Sequence, residues 1–246
     1  IHHSCFVVEL DTKVLVFDYF NGDRVNGYHF GGKLPIYDAD TPMYFFASHK
    51  HQDHFDMDIY RFAERYENIH YIISKDAKLS PNFLKKHGID PAIREKITYV
   101  THGEDYLVDD VKLHTYLSTD AGVAFAVEAD GKHIYHAGDL NNWHWEEEST
   151  PQEIAQMEGS FKKELNDLAQ LTPRLDVAMF PVDPRIGGDF MRGARQFIDK
   201  LRVDLFVPMH FWGRVEEVRP FGDYARGKGV RFELLDPPGA SCSIDS

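Results

Sequence analysis

Residues 43–54 read MYFFASHKHQDH, an apolar run followed directly by a cluster of histidines and one carboxylate. A short continuous apolar run is typical of a strand that is buried on both faces. Side chains alternate in extended backbone, so His49 and His51 point the same way and can reach one ion. Asp53 and His54 follow on the next turn, where a carboxylate and an imidazole can serve a second ion nearby. This segment therefore predicts a metal centre at the end of a buried strand.

Two later strands are also predicted to end in ligand-type side chains. Asp139 is the last residue of the segment 135–139 (YHAGD). The small Ala-Gly pair in this segment allows the backbone to approach neighbouring atoms closely. His210 closes the apolar run at residues 207–210 (VPMH). Because α/β architectures assemble their sites where strands end, we expect these strand ends to meet at one site.

Strands come first along the chain and then alternate with helices. Predicted strands cover Phe6–Leu10, Lys13–Phe20, Met43–Ala47, Ile69–Ser74, Ile97–Val100, Val111–Tyr116, Asp176–Phe180, Asp204–Met209 and Val230–Leu235. Residues 122–137 predict a hairpin that turns at Asp130-Gly131. Predicted helices cover Asp58–Glu67, Ser80–His87, Pro151–Leu171 and Phe190–Leu201. This order favours one domain over residues 1–246, a layered sandwich with helices outside two sheets.

Composition and charge exclude several classes of protein. The 246 residues are 43% hydrophobic and 27% charged, which is typical of a globular chain and not of a disordered one. The net charge of −13 disfavours binding to a nucleic-acid backbone or an anionic membrane surface. No apolar run approaches the roughly 18 residues of a membrane span, and two isolated cysteines, Cys5 and Cys242, favour a reducing cytoplasm. The expected partner is a small-molecule substrate, and a homo-oligomer is one alternative for the assembly.

The ligand-type residues together resemble a known family. The HxHxDH segment from His49 to His54, the strand-end Asp139 and the late His210 resemble the metal signature of the metallo-β-lactamase superfamily. Residues 3–9 (HSCFVVE) and Asp18 are similar to the opening of its ascorbate-6-phosphate lactonase-like and RNase Z-like hydrolases. The resemblance covers nearly the whole chain. It implies an αββα sandwich of two mixed sheets with helices on the outer faces, and a binuclear site in the groove at one edge of the sheets.

The resemblance also implies a role for each ligand. The first metal would be held by His49 and His51, the second by Asp53, His54 and His210, and Asp139 would bridge the two. One or two divalent ions are expected as cofactors, with zinc, manganese and iron as the alternatives.

One residue of the family pattern is missing. The family has a third histidine for the first metal at the end of the strand before the hairpin, and residues 116–120 (YLSTD) contain none. Asp120 is one substitute, and its oxygen ligation would shift the preference from zinc toward manganese or iron. The alternative for Asp120 is an Asx turn that joins the strand to the hairpin. His144, five residues after Asp139, is either a second substitute and catalytic group or a histidine between two packed tryptophans.

We expect the chemistry to be hydrolysis by a hydroxide generated on the metal, with Asp53 orienting it. Either His136 or His144 would protonate the leaving group. The alternative for His136 is that it packs in the interior and supports a ligand. Arg185 would clamp an anionic substrate or form a salt bridge at the sheet edge, and Asp183 would buttress a ligand or the fold. Four aromatic residues are expected at the rim of the groove or in ordinary packing: Trp143, Trp145, Phe211 and Trp212.

Three functions therefore compete. The first is a metal-dependent hydrolase of a small, anionic lactone, phosphodiester or amide. The second is an RNase Z-like nuclease, which the charge of −13 disfavours. The third is a metal-binding protein of the same fold that does not hydrolyse, suggested by the missing histidine. Substrate choice is expected to lie in loops such as residues 21–32 and 141–151.

Overall fold

The computed structural model describes residues 3–20, 32–172 and 174–245, so residues 21–31 of the predicted specificity loop lie outside the described residues. Strands in these ranges form two sheets. The five-stranded sheet contains, in spatial order, β1 (Phe6–Glu9), β2 (Val14–Phe17), β3 (Met43–Ala47), β4 (Ile69–Ser74) and β5 (Ile97–Val100). The seven-stranded sheet contains β6 (Asp105–Val108), β7 (Val111–Leu117), β8 (Val123–Ala129), β9 (Lys132–His136), β10 (Arg174–Pro181), β11 (Arg202–Met209) and β12 (Arg231–Phe232).

Both sheets are mixed. In the first, β1 is antiparallel to β2, whereas β2, β3, β4 and β5 are parallel neighbours. In the second, β6 to β9 form an antiparallel meander, and β9, β10, β11 and β12 are parallel, with β12 at the edge. The parallel strands bring the ends of β2 and β3 together on one sheet and those of β9, β10 and β11 on the other.

The alternation of side chains explains why β3 is apolar throughout. Tyr44 and Phe46 pack into the core between the sheets, whereas Met43, Phe45 and Ala47 pack into a second core on the outer face. Neighbouring β2 divides its side chains in the same way. A strand with apolar neighbours on both faces carries no polar position, as its sequence predicts.

Helices cover the outer faces. The α-helices are α1 (Pro81–Lys86), α2 (Pro151–Leu171), α3 (Arg192–Lys200), α4 (Val215–Val218) and α5 (Phe221–Gly227), and 3-10 helices cover Met57–Glu64, Lys75–Ala77, Pro91–Lys96 and Pro184–Ile186. Helix α2 begins at a capping box between Thr150 and Glu153. None of the helices in the described ranges combines the length and the apolar character that a bilayer-spanning helix needs.

The predicted sandwich of two mixed sheets with outer helices is confirmed. The hairpin of β8 and β9 turns at Asp130-Gly131 as predicted. The predicted α-helix at 58–67 is wrong in type, because the segment closes i→i+3 hydrogen bonds such as Arg65 N–H to the Phe62 carbonyl. The predicted strand at 230–235 is shorter than expected: Arg231 and Phe232 form the ladder with β11, and the Glu233 N–H donates to the Phe206 carbonyl beyond it.

Candidate metal centre

The predicted ligands come together where β3, β9 and β11 end. Two glycines allow the backbones to approach: a Cβ on Gly122 would lie 2.0 Å from the Ser48 carbonyl oxygen, and one on Gly138 would lie 2.8 Å from the Ser48 Cβ. Both glycines have positive φ, 69° and 52°, which disfavours any other residue there. The close approach expected from the Ala-Gly pair therefore places the loop after β9 against the loop after β3.

The first group of ligand-type atoms surrounds one oxygen of Asp139. His49 Nε2 lies 3.2 Å from Asp139 Oδ2 and 3.0 Å from His51 Nδ1. His51, Asp120 and Asp139 each contribute an atom to a set within 4.8 Å of one another. His49 and Asp139 are buried, whereas His51 and Asp120 are exposed. The exposed pair marks the open side of this group.

The second group surrounds the other oxygen of Asp139. His54 Nε2 lies 3.1 Å and His210 Nε2 lies 3.5 Å from Asp139 Oδ1. Both nitrogens also lie 3.6 Å from Asp53 Oδ2. His3 Nε2 is 3.2 Å from the same Asp53 oxygen, so His3 joins this group. Asp139 thus stands between two sets of imidazoles, one on each carboxylate oxygen.

The polar atoms of this cluster fit a metal ion. His54 Nε2 and Asp139 Oδ1 are buried side-chain atoms, and among the described residues neither has a hydrogen-bond partner. Their 3.1 Å contact lacks the alignment of a hydrogen bond. Buried polar atoms are otherwise almost always satisfied. Two such atoms, facing each other among imidazoles and carboxylates, are the donor set that divalent transition metals prefer.

Three buried imidazoles of the cluster, those of His49, His54 and His210, are each oriented by a partner on the Nδ1 atom. His54 Nδ1 donates to Asp18 Oδ2 at 2.6 Å, and His210 Nδ1 donates to Asp183 Oδ2 at 2.9 Å. His49 Nδ1 donates to the Ser48 hydroxyl at 2.9 Å, which in turn donates to Asp18 at 2.7 Å. Because each Nδ1 donates to its partner, Nε2 is the nitrogen that faces the centre of the cluster, where an ion would take the place of any proton on it.

The pKa values of the cluster follow from burial and from neighbouring charges. Burial opposes protonation of His210, but Asp139 and the other carboxylates outweigh it and raise its pKa to about 9. Burial likewise opposes protonation of His54, yet Asp139 and Asp18 hold its pKa well above the usual value. Burial would raise the pKa of Asp139, but the histidines hold it well below its usual range. Burial and His210 lower the pKa of His3 to about 4, so its imidazole is neutral at pH 7.

A family model described as β-lactamase superfamily domain matches residues 1–210. The chain belongs to the metallo-β-lactamase superfamily. Solved structures with the same fold include a metallo hydrolase from the archaeon Ignicoccus hospitalis, with 18% identity, TM-score 0.61, and coverage of 96% of this chain and 93% of that one. The metallo-β-lactamase fold protein YhfI from Bacillus subtilis has 12% identity and TM-score 0.56, with coverage of 95% and 89%. The diiron β-hydroxylase CmlA from Streptomyces venezuelae has 14% identity and TM-score 0.62, and the match covers 96% of this chain and 52% of that one.

The structure places the Asp120 carboxylate beside two predicted ligands. The Asp120 backbone N–H donates to the Ser118 hydroxyl at 3.2 Å, a turn contact made by the serine and not by the Asp120 carboxylate. The Asp120 carboxylate is instead gathered with His51 and Asp139. This arrangement gives the first group two imidazoles and two carboxylates.

The structure does not bring His136 to the groove. Its ring is fully buried and stacks on Phe17 at 5.2 Å between centroids. Its Nε2 donates to the Ser4 carbonyl at 2.8 Å, and its Nδ1 accepts from the Gly138 N–H at 3.1 Å. Since both nitrogens are engaged with backbone, the expected proton transfer from His136 to a leaving group has no support in this geometry. The ring instead ties the N-terminal turn to the loop that carries Asp139.

His144 is buried beside the site without joining it. Its Nδ1 donates to the Asn142 carbonyl at 2.9 Å, and none of the ligand groups found in the described ranges includes it. Neighbouring Trp143 is also buried, and its Nε1 donates to the Asp139 carbonyl at 2.7 Å while its ring meets His210 edge-on. Trp143 therefore supports two ligands, whereas the expectation that it binds substrate receives no support from its burial.

Arg185 lies at the edge of the site but its guanidinium is already engaged. Its Nε and Nη2 atoms donate to both oxygens of Asp183 at 2.5–3.0 Å, and its cationic carbon lies 4.4 Å from the ring centroid of Trp212. The predicted two-pronged clamp on a substrate is therefore occupied by Asp183, the residue that orients His210. Trp212 itself is only partly buried, against His3 and Arg185.

The sequence did not show which ligands two supporting residues contact. Asp18 entered only through the resemblance, and its contact with His54 spans 36 positions. His3 entered as part of the opening segment and lies 50 positions from Asp53. The sequence showed only that a histidine precedes the first strand and an aspartate follows the second. The folding of the sheet then places both residues at the cluster.

Proposed function

We propose that this protein is a metal-dependent hydrolase of a small, anionic substrate. The observation that carries the proposal is the position of Asp139, whose two carboxylate oxygens face different histidines, Oδ2 facing His49 and Oδ1 facing His54 and His210. A carboxylate in this position suits a site for two ions. His49, His51, Asp120 and Asp139 would hold the first ion, and Asp53, His54, His210 and Asp139 the second.

The metal and the chain would divide the chemistry between them. Bound divalent ions supply Lewis acidity and lower the pKa of water toward about 7. Asp18 and Asp183 accept the Nδ1 protons of His54 and His210, so the Nε2 atoms are the nitrogens that face the metal side. Deep burial of His49, His54 and Asp139 excludes water beneath the cluster.

The exposed side of the cluster would receive the substrate. Asp53 is half-buried, and His51 and Asp120 are exposed, so these three residues line the open side. Trp212 and the outer edge of Arg185, whose side chain is 41% exposed, lie next to the second group. A small carbonyl or phosphoryl compound with an anionic group suits an opening that carries the positive charge of bound metals. Lactones, phosphodiesters and amides are the classes we propose.

A panel assay tests the proposal. Metal-free protein is loaded separately with zinc, manganese or iron(II) and mixed with representative lactones, phosphodiesters and amides. We expect hydrolysis of at least one class, abolished in His49→Ala and His54→Ala and retained in His70→Ala, a histidine of β4 paired with Asp109. Absence of hydrolysis with every metal and every class would contradict the proposal.

A second candidate is a redox or purely metal-binding function. It is favoured by the two carboxylates of the first group, since oxygen ligands suit iron and manganese. CmlA, with the same fold, is a diiron β-hydroxylase. Iron retained through purification, together with no hydrolysis of the panel, would favour this second candidate.

A further inference from the structure

We propose that His3 is itself a ligand of the second metal ion. This proposal rests on the proposed function, because it concerns the ion held by Asp53, His54 and His210. It adds an imidazole from the N-terminal turn to a set otherwise drawn from the ends of β3, β9 and β11. The second ion would then have three nitrogen ligands and two carboxylate ligands.

The distances around the second group support a shared centre. Ligands bound at about 2.0–2.2 Å to one ion lie about 2.9–3.6 Å from one another when the angles between bonds are 90–110°. The four contacts among Asp53, Asp139, His54 and His210 fall at 3.1–3.6 Å. The contact from His3 Nε2 to Asp53 Oδ2, at 3.2 Å, falls in the same range. His3 Nε2 and the ligand atoms of Asp53, His54 and His210 all lie within 4.8 Å of one another.

The imidazole of His3 is held in this position from several sides. Its side chain is fully buried, and its ring centroid lies 4.5 Å from that of His210 and 4.4 Å from that of Trp212. Its backbone has a φ of 53°, a left-handed conformation that L residues adopt at a cost. Outliers of this kind are concentrated at functional sites.

The turn that carries His3 is anchored to the loop that carries Asp139. His136 Nε2 donates to the carbonyl of Ser4, and His136 Nδ1 accepts from the N–H of Gly138. One buried ring therefore fixes the backbone next to His3 and the backbone next to Asp139. This contact gives the N-terminal turn the rigidity that a metal ligand needs.

Cobalt(II) titration of the metal-free full chain tests the proposal. Visible absorption reports the coordination of each bound ion, and competition with a chelator gives each Kd. The variants are His3→Gln, which keeps a side-chain donor toward Asp53, His3→Ala, His54→Ala and the matched control His70→Gln. Circular dichroism of each metal-free variant checks that it is folded.

We expect both His3 variants to bind the second ion at least about 100-fold more weakly and with an altered visible spectrum. The first ion and the His70→Gln control should match the unsubstituted chain. If His54→Ala weakens the second ion but both His3 variants keep its Kd and spectrum, His3 is not a ligand while the proposed site stands. If His3→Gln behaves like the unsubstituted chain and only His3→Ala fails, His3 acts through Asp53 and the ligand proposal is overturned. If the unsubstituted chain binds no cobalt, the proposed function fails and this proposal fails with it.

Discussion

Replacing Asp18 with asparagine should weaken metal binding without removing any ligand. Asp18 is fully buried and accepts three hydrogen bonds: from Ser48 N–H at 2.7 Å, from the Ser48 hydroxyl at 2.7 Å and from His54 Nδ1 at 2.6 Å. Asparagine has the same shape, so packing is preserved. Its NH2 group, however, donates toward His54 Nδ1 and drives the imidazole proton to Nε2, where it blocks the lone pair that faces the cluster.

The expected size of the effect follows from the contact that is lost. A buried, charge-assisted hydrogen bond to a ligand imidazole contributes about 10- to 100-fold in metal affinity, which corresponds to about 1.4–2.7 kcal/mol. The Asp18→Asn chain should therefore bind the ion at His54 with a Kd raised by that factor, measured by competition with a chelator. The matched control is Asp130→Asn, which removes a carboxylate bound to Lys13 and Thr12 away from the cluster. A Kd for Asp18→Asn within about threefold of the unsubstituted value would refute the role of Asp18.

Three further predictions concern the first ion, the pH dependence and the fold. Asp120→Ala should reduce the bound metal from about two ions per chain to about one, because it removes a ligand of the first group. Elemental analysis after dialysis measures this number, and two ions per chain would contradict the prediction. Metal affinity should rise from pH 7 to 9, by up to about tenfold per pH unit at the lower end of this range, because the ion must displace a proton from His210, whose pKa in the metal-free protein is about 9. Calorimetry in buffers of different ionisation enthalpy counts that proton, and an affinity independent of pH in this range would contradict the assignment. Lys13→Met should lower the free energy of unfolding, measured with urea, by about 3 kcal/mol. The buried Lys13 ammonium lies 2.6 Å from both Asp110 and Asp130, and the substitution leaves these carboxylates without it. The exposed pair Lys112–Glu128 is the control, and Lys112→Met should cost no more than about 1 kcal/mol.

Local sequence patterns were sufficient for much of the fold. A short stretch of sequence is enough to predict each of three elements: strand β3 with its apolar run, the Asp130-Gly131 turn and the 21-residue helix α2. The structure confirms all three. The structure differs from the prediction at the edge strand β12 and at the 3-10 helix Met57–Glu64. Strand pairing at a sheet edge, and the choice between α-helical and 3-10 hydrogen bonds, depend on neighbours far along the chain.

The same division applies to the site. The HxHxDH spacing brings His49, His51 and His54 together through local geometry alone, so sequence was enough to predict them as ligands. Sequence did not predict contacts that span many positions, such as that between His136 and Ser4 across 132 positions. It also did not predict that Arg185 pairs with Asp183, two residues away, because the conformation of the folded loop sets that contact. Sequence left Asp120 open between a turn and a ligand, and the structure gathers its carboxylate with His51 and Asp139.

A metal centre built around Asp139 is tested most directly by the number of metal ions bound per chain. Elemental mass spectrometry measures this number on the purified unsubstituted chain and on the Asp139→Ala variant. Because Asp139 lies between both groups of imidazoles, we predict about two ions for the unsubstituted chain and fewer than one for the variant. Asp130→Asn, distant from the cluster, should keep both ions. A chain that holds no metal, or an Asp139→Ala chain that holds as much as the unsubstituted one, would contradict a metal centre built around this carboxylate.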